Sequence, residues 1–216
     1  MDSVKIYRIT HIDNVPHILK YGITHKNSLN RNPNFKDIGD ISLIGTRNDM
    51  QVIVDNGQLA SAERKTISLG DFIPFYFGVR MPMLYVIQHG GNFVVKATKA
   101  TDIVYLVCSI NKVVLNGNDY YFSDGHATDI LTSFYDQSQI NKLIGIIDWD
   151  AIRSAYWGGS ENLNLKRKKQ AEFLVMGDLP PNLIIGVGCY DIKSKDKLIS
   201  MGVLENIIKI IPKAYY

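Results

Sequence analysis

The chain has 216 residues, 46% of them hydrophobic and 21% charged, which is the composition of an ordinary globular protein with a substantial core. With 24 lysines and arginines against 21 aspartates and glutamates, the net charge of +3 neither requires nor excludes a nucleic-acid partner. No stretch approaches the roughly 20 apolar residues of a membrane helix, so we expect a single cytoplasmic domain over 1–216 that contacts no membrane.

The N-terminal half mixes short regular elements with long polar stretches. A strand is predicted over 5–9 and a helix over 15–20, which Gly22 ends. Residues 25–50 are polar and rich in turns, which is typical of a long irregular binding loop or a disordered segment. The apolar cluster of Ile41, Leu43 and Ile44 predicts that this segment packs down. A second polar stretch follows over 51–70. Beyond it, the chain contains an aromatic run over 72–77 and a predicted helix from Pro82 to about Gln88.

The C-terminal half contains most of the predicted strands. They cover 103–109, 120–122, 171–176, 183–189 and 207–211. Helices are predicted from Trp149 to about Trp157, with Asp148 as the cap, and over 193–201. Because strands and helices do not alternate strictly, the sequence predicts an α+β fold with a split, mostly antiparallel β-sheet.

Several kinds of site have no signal in the sequence. Cys108 and Cys189 lie in apolar runs, which predicts free buried thiols. No His/Cys cluster has the spacing of a metal site, and we predict no metal. The sequence contains no Ser-His-Asp elbow, P-loop or dinucleotide glycine motif, which argues against hydrolase and Rossmann proteins.

One carboxylate occupies an unusual position. Glu172 lies between four consecutive cations at 166–169 and the apolar stretch 173–176. A carboxylate at the mouth of a basic groove, anchored by a buried strand, suits chemistry on a polyanion or at a cationic reaction centre. The alternative is a glutamate at a strand edge that pairs with the nearby lysines. Other polar residues beside sheet-forming segments are Arg8, His11, Arg47, Tyr76 and His126.

Several sequence strings, taken together, resemble the DarT family. They are 7–14, 38–40 with 43–47, 72–77 with 81–85, 122–126, 148–149 and 170–172. DarT proteins are the toxins of DarT–DarG toxin–antitoxin systems, and they transfer ADP-ribose from NAD⁺ to a base in single-stranded DNA. The match runs from about residue 5 to Tyr216, in the family's order.

The resemblance implies an ADP-ribosyltransferase fold like that of the poly-ADP-ribose polymerases, with NAD⁺ in the cleft of a split sheet. It implies that Glu172 is the catalytic glutamate and that Arg47 is also essential for transfer. The NAD⁺ site would be formed by Arg8, His11, Asn14, Arg47 and Tyr76. The implied partner is a DarG-type antitoxin, a macrodomain or another ADP-ribosyl hydrolase, and we expect a monomer.

Two departures from the family pattern stand out. Arg8 occupies a position in the first strand where some relatives carry a histidine. The stretch from Met50 to Gly70 is longer than in relatives. The accepting base, thymine or guanine, stays open.

The residue types suit glycosyl transfer. Breaking the nicotinamide–ribose bond develops positive charge on the ribose, and a carboxylate such as Glu172 stabilises that charge. The same carboxylate can take the proton from the accepting base nitrogen. Arg47 stays charged at working pH, so it suits binding of the pyrophosphate or stabilisation of negative charge on the base.

A base is reached only outside a stack, which predicts a single-stranded substrate. Stacking aromatics and cations are the expected contacts: Arg80, Tyr85, His126, Tyr156, Trp157, Lys166, Arg167, Lys168 and Lys169. We predict that the segment from about Arg153 to Gln170 selects the base. The alternatives are the same fold acting on RNA or protein, or hydrolysing NAD⁺, and a non-enzymatic single-strand-binding module.

Overall fold

The structure of the chain is a computed structural model that describes residues 4–58, 64–91, 94 and 96–216. The strands are β1 (Lys5–His11), β2 (Gln51–Val54), β3 (Lys65–Ser68), β4 (Phe72–Tyr76), β5 (Ile103–Ser109), β6 (Tyr120–Ser123), β7 (Phe134–Tyr135), β8 (Glu172–Met176), β9 (Ile184–Cys189) and β10 (Ile208–Ile210). The α-helices are α1 (Val15–Tyr21), α2 (Ile41–Asp49), α3 (Pro82–His89), α4 (Ile110–Leu115), α5 (Leu143–Ile146), α6 (Trp149–Arg153), α7 (Leu163–Lys169) and α8 (Ile192–Ser200).

Eight of these strands form one sheet in the order β10-β9-β5-β1-β4-β8-β6-β7. All neighbouring strands are antiparallel except the parallel pair β9 and β10. β1 pairs along its whole length with β5 but meets β4 only where Tyr7 lies opposite Tyr76. The sheet therefore splits between β1 and β4, and the predicted α+β fold with a split, mostly antiparallel sheet is confirmed.

Continuous apolar runs explain why the central strands are buried. In β5, six of the seven residues are buried, which fits a strand covered on both faces. The first four residues of β8 are also buried, and this strand lies between β4 and β6. Glu172 is thus the first residue of an interior strand. The alternative of a glutamate at a strand edge is wrong.

Two polar stretches contain regular structure that the sequence pattern does not predict. Helix α2 lies inside the segment predicted as irregular, and its N-terminus is capped by Asp40, whose side chain accepts a hydrogen bond from the Leu43 N–H. None of its residues is buried, and Ile41 and Ile44 are 55% and 36% exposed, so the apolar cluster does not pack into the core as predicted. The stretch predicted as polar over 51–70 contains the hairpin of β2 and β3. Its residues 59–63 lie outside the described residues.

The end of helix α6 and the two cysteines can also be compared with the sequence-based predictions. Helix α6 ends at Arg153, short of the predicted end near Trp157, because the backbone angles of Ser154 are no longer helical. Cys108 and Cys189 are free and buried, as predicted. Within the described residues, no helix has both the length and the apolar composition needed to cross a bilayer.

Candidate active site

The split in the sheet opens into a cleft of about 600 Å³. This volume lies in the usual range for small-molecule sites. Of the predicted site residues, the cleft is lined by Arg8, Arg47, Tyr76, His126 and Glu172. Its remaining wall includes the segment 31–40 and helix α2, together with residues 23–26 and 69–74. The structure therefore brings five separated sequence signals into one cavity.

Arg47 and Glu172 form a double contact inside this cleft. Arg47 Nη1 donates to Glu172 Oε1 at 3.0 Å, and Nη2 lies 2.9 Å from Oε2. The second approach is not aligned as a hydrogen bond, so Nη2 and Oε2 are buried polar atoms with unmet hydrogen-bonding capacity. The two atoms attract each other as an ion pair, and each keeps hydrogen-bonding capacity for a ligand that enters the cleft.

The backbone around Glu172 fixes its carboxylate, whose residue is only 1% exposed. Tyr76 lies opposite it in the β4–β8 register. The Glu172 N–H donates to Ser123 Oγ at 3.1 Å, and the Ala127 N–H donates to Glu172 Oε1 at 3.2 Å. Ser123 and Ala127 were not predicted as site residues, since only the fold places this part of the chain next to β8.

Cations outnumber carboxylates along the cleft. The lining cations are Arg8, Lys26, Arg31, Lys36 and Arg47, and the lining carboxylates are Asp37, Asp40 and Glu172. Burial lowers the pKa of Arg8, and the nearby charge of Arg47 lowers it further. Burial also disfavours the charged form of Arg47, which by itself would lower its pKa. The negative charge of Glu172 and its hydrogen bond with Arg47 together have the larger effect and keep the pKa of Arg47 above its ordinary value. The cleft suits an anionic ligand.

Two neutral groups lie beside the carboxylate. Burial, with a smaller contribution from the charge of Glu172, raises the pKa of Tyr76 far above its ordinary value, so its phenol stays protonated. Burial lowers the pKa of His126, whose Nδ1 lies 3.0 Å from Thr128 Oγ1. His126 was predicted as a DNA contact, and the structure places it at the cleft beside Glu172.

His11 and Asn14 do not line the cleft, which differs from the direct contact predicted. Asn14 is fully buried, donating to the Lys36 carbonyl and accepting from the Lys36 N–H, both at 2.9 Å. Its amide thus bridges to the segment that forms the cleft wall. His11 Nδ1 accepts the Asp13 N–H at 3.1 Å, so this nitrogen is also engaged by the main chain.

The four cations before Glu172 do not form one basic strip. They occupy the last turn of α7, where successive side chains point in different directions. Lys166 is exposed, with its Nζ 5.4 Å from the centre of the Trp157 ring. Lys168 pairs with Asp148 at 3.0 Å. Lys166 and Lys168 keep exposed surface for the predicted DNA contact, whereas the other two side chains are buried.

Lys169 and Arg167 are those buried cations. Lys169 is 1% exposed, its Nζ donates to the Ile152 carbonyl at 2.9 Å, and burial lowers its pKa to about 8. Arg167 is 8% exposed and pairs with Asp124 at 2.9 Å. Neither side chain is placed to follow a phosphate backbone.

Three of the other predicted DNA contacts, Arg80, Tyr85 and Trp157, surround Tyr216. The guanidinium of Arg80 lies 4.5 Å from the centre of the Tyr216 ring, and Trp157 Nε1 donates to the Tyr216 hydroxyl at 2.6 Å. Tyr85 packs edge-on against Trp157 and is 43% exposed. Tyr156 is 68% exposed. Tyr85 and Tyr156 therefore keep surface on which a base could stack.

Comparison with known proteins gives consistent matches. The profile of the family described as "DarT: ssDNA thymidine ADP-ribosyltransferase, DarT" matches residues 7–216. A DNA ADP-ribosyl transferase of Escherichia coli O127:H6 is 33% identical over 186 residues, 86% of this chain and 79% of that protein. A DNA ADP-ribosyl transferase-DNA ADP-ribosyl glycohydrolase fusion protein of Thermosipho africanus is 30% identical over 85% of this chain and 42% of its own length.

Solved structures match over nearly the whole chain. The Thermus sp. 2.9 DarT in complex with ADP-ribosylated ssDNA has a TM-score of 0.81 and 29% identity, covering 100% of this chain and 98% of its own. The same protein in complex with NAD⁺ has a TM-score of 0.76 and 27% identity, with 100% and 99% covered. The sequence match and the shared fold thus agree.

Proposed function

This chain belongs to the DarT family of single-stranded DNA ADP-ribosyltransferases, and from that membership we propose how its cleft works. It is an NAD⁺-dependent DNA ADP-ribosyltransferase. The cleft at the split of the sheet binds NAD⁺, and Glu172 and Arg47 carry the transfer. The observation that carries this proposal is the buried Arg47–Glu172 pair, in which one oxygen and one nitrogen keep unmet hydrogen-bonding capacity inside the cleft.

The chemistry of the lining fits NAD⁺. A pyrophosphate carries two negative charges, and Arg8, Arg31 and Lys36 lie along the cleft. Glu172 Oε2 is an unused acceptor of the kind that a ribose hydroxyl requires. Arg47 Nη2 is the matching unused donor.

In the proposed reaction, the bond between ribose C1′ and the nicotinamide nitrogen breaks, and its electron pair leaves with neutral nicotinamide. Glu172 stabilises the positive charge that develops on the ribose. The base nitrogen then bonds to C1′, and Glu172 takes the proton that this nitrogen loses. Arg47 holds the carboxylate in place and stabilises the negative charge that develops on the base.

Two neighbours support these steps. His126 is neutral, because burial lowers its pKa, and we propose that it contacts the accepting base. Tyr76 lies opposite Glu172 in the sheet and keeps its proton, so it can donate a hydrogen bond without adding charge. Tyr76 keeps its proton and so cannot take another from the base, and we assign that step to Glu172.

We propose thymine as the accepting base, on the support of the family's description. The test is mass spectrometry of single-stranded oligonucleotides that lack either thymine or guanine, after incubation with the protein and NAD⁺. We expect one ADP-ribose added to oligonucleotides with thymine and none to those without it. Modification of thymine-free, guanine-containing strands would assign guanine instead.

Grafting residues 153–170 from a relative with the other base preference should change the base preference of this protein to that of the relative.

The biological role we propose is that of a toxin. A bulky adduct on a base blocks DNA replication, including that of an infecting phage, and such a toxin meets DNA in the cytoplasm. The Thermosipho africanus relative is a fusion with a DNA ADP-ribosyl glycohydrolase, which supports a DarG-type hydrolase as the partner of this chain. Expression should arrest growth, and co-expression of such a hydrolase should restore it. Growth arrest by Glu172→Gln would contradict the role.

A further inference from the structure

A turn over residues 123–132, here called the His126 turn, faces the proposed catalytic carboxylate. It carries the Ser123 hydroxyl, the Ala127 N–H and the imidazole of His126, all of which lie next to Glu172. Its conformation therefore sets the surroundings of the reacting group. Of its apolar side chains, Ala127 is buried in the core but Ile130 and Leu131 are exposed, so most of the turn must be held by polar contacts.

Arg167 of helix α7 is the side chain that lies against this turn. Its Nη1 donates to Asp124 Oδ1 at 2.9 Å and to Thr132 Oγ1 at 3.3 Å, near the two ends of the turn. Its Nε donates to Asn164 Oδ1 at 3.2 Å, which fixes the guanidinium on its own helix. One buried guanidinium thus ties both ends of the turn to α7.

The same residue reaches His126 from both sides. The His126 N–H donates to the Arg167 carbonyl at 2.9 Å. The His126 carbonyl accepts the Thr132 hydroxyl at 2.8 Å, and that hydroxyl is the one that Arg167 contacts. The peptide that follows His126 carries the Ala127 N–H that donates to Glu172. A continuous set of contacts therefore runs from Arg167 to the carboxylate.

Gly125 gives the guanidinium its space. A Cβ at this position would collide with Arg167 Nη1 and would also lie too close to Thr132 Oγ1. The φ angle of Gly125 is not in the left-handed region, so backbone freedom is not what requires glycine here. The glycine is explained by the close approach of Arg167.

We infer that Arg167 is a positioning residue, which holds the His126 turn against Glu172 and links this turn to the segment that precedes the carboxylate. This inference rests on the proposed function of Glu172. It replaces the phosphate contact expected from the sequence, because Arg167 is 8% exposed and both Nε and Nη1 are engaged within the protein.

The first experiment compares Arg167→Met with two other variants. A misplaced reacting group can cost about 100-fold in rate, so we expect kcat for transfer to single-stranded DNA to fall about 10–100-fold. The dissociation constant for single-stranded DNA and its salt dependence should not change. Lys166→Met should instead weaken DNA binding and lower the salt slope by about 0.7, as expected for one lost phosphate contact. Lys193→Met, on the exposed side of α8, is the inert control.

Further variants keep the test decisive if Arg167→Met folds poorly. Gly125→Ala should displace the guanidinium and reduce kcat in the same way. The double variant with Arg167→Met and Gly125→Ala should have a kcat no lower than that of the more severe single variant. Thr132→Val should give a smaller loss. Arg167→Lys should recover part of kcat, since an ammonium can still pair with Asp124.

The outcomes separate this inference from the proposed function. Weaker DNA binding with normal kcat in Arg167→Met, or additive losses in the double variant with Gly125→Ala, would overturn the positioning role. Absence of transfer by the unmodified protein would instead count against the proposed function. Unchanged kcat in all three of Arg167→Met, Gly125→Ala and Thr132→Val would also overturn the positioning role.

Discussion

The two members of the proposed catalytic pair lie in regions of opposite character. Glu172 begins β8, an interior strand whose first four residues are buried between β4 and β6. Arg47 lies on α2, a helix with no buried residue. The helix is held instead by its Asp40 cap, by a side-chain contact from Lys26 to Asn48, and by the Arg47–Glu172 pair itself.

This difference shows how a site can be both fixed and accessible. Burial of apolar surface stabilises β8, so its opening requires breaking the sheet, whereas α2 is stabilised mainly by polar contacts. Elements of low local stability are the ones that move when ligands enter and leave. We expect the carboxylate side of the cleft to stay in place while the Arg47 side adjusts.

The largest effect is expected from the rigid side. Glu172→Gln keeps the shape of the side chain but removes the proton acceptor and the negative charge, so transfer should fall about 10⁴-fold, the upper end of the range for a general base. Mass spectrometry of modified oligonucleotides measures the loss. Glu205→Gln changes an exposed carboxylate and should have no effect. Residual transfer within tenfold of the unmodified protein would contradict the role of Glu172.

The second prediction tests both regions at once. Arg47→Lys keeps the charge but cannot make the double contact with one carboxylate, and transfer should fall about 100-fold, as for a lost stabilising donor. Hydrogen exchange should become faster in α2 and stay unchanged in β8. Equal acceleration in both elements would show that the two regions are not independently stabilised.

The third prediction concerns the wall of the cleft. Asn14→Ala removes two hydrogen bonds to Lys36. At about 1 kcal/mol each, their loss should raise the KM for NAD⁺ about 30-fold, with kcat within threefold. Asn30→Ala changes an exposed residue near the same wall and serves as the control. A fall in kcat at unchanged KM would place Asn14 in the chemical step instead.

The smallest effect is expected from Asp13, which ties this wall to α8. Hydrogen bonds from Lys197 and Lys36 lower the pKa of Asp13 to about 2 in the folded protein. A lowered carboxyl pKa stabilises the fold above the unfolded value, and this contribution is lost as the pH falls towards 2. Asp13→Asn should cost about 1 kcal/mol of unfolding free energy at pH 6. In urea titrations the difference should shrink below about pH 4, whereas Asp196→Asn should change little at either pH.

Much of the sheet follows from local sequence. The bounds of β5 were predicted without error, because a run of β-branched and other apolar residues is typical of a strand buried in the core. Helix α3 was predicted from Pro82 at its start and the glycine after His89. Helix α2 could not be predicted from periodicity, because it buries no face. The β2–β3 hairpin was not predicted, because it lies within a stretch of mostly polar residues.

For the site, the residue types and the family resemblance together pointed to Glu172, Arg47, Arg8, Tyr76 and His126, all of which line the cleft. The sequence could not separate the four cations at 166–169, since adjacent residues of a helix point in different directions and each meets a different environment. It likewise could not show that the Asn14 side chain is engaged by the main chain of Lys36.

The sequence by itself determined which chemical groups this protein has and which family its strings resemble, because hydrophobic patterning, turns and motifs are local properties of the chain. The tertiary structure decided which of those groups meet. Arg47 and Glu172 are 125 positions apart in the chain yet their atoms lie 3.0 Å apart. The four cations at 166–169 became one exposed lysine, one lysine in a surface ion pair and two buried side chains that hold other parts of the protein in place. Residue type alone does not determine how deeply a side chain is buried or in which direction it points.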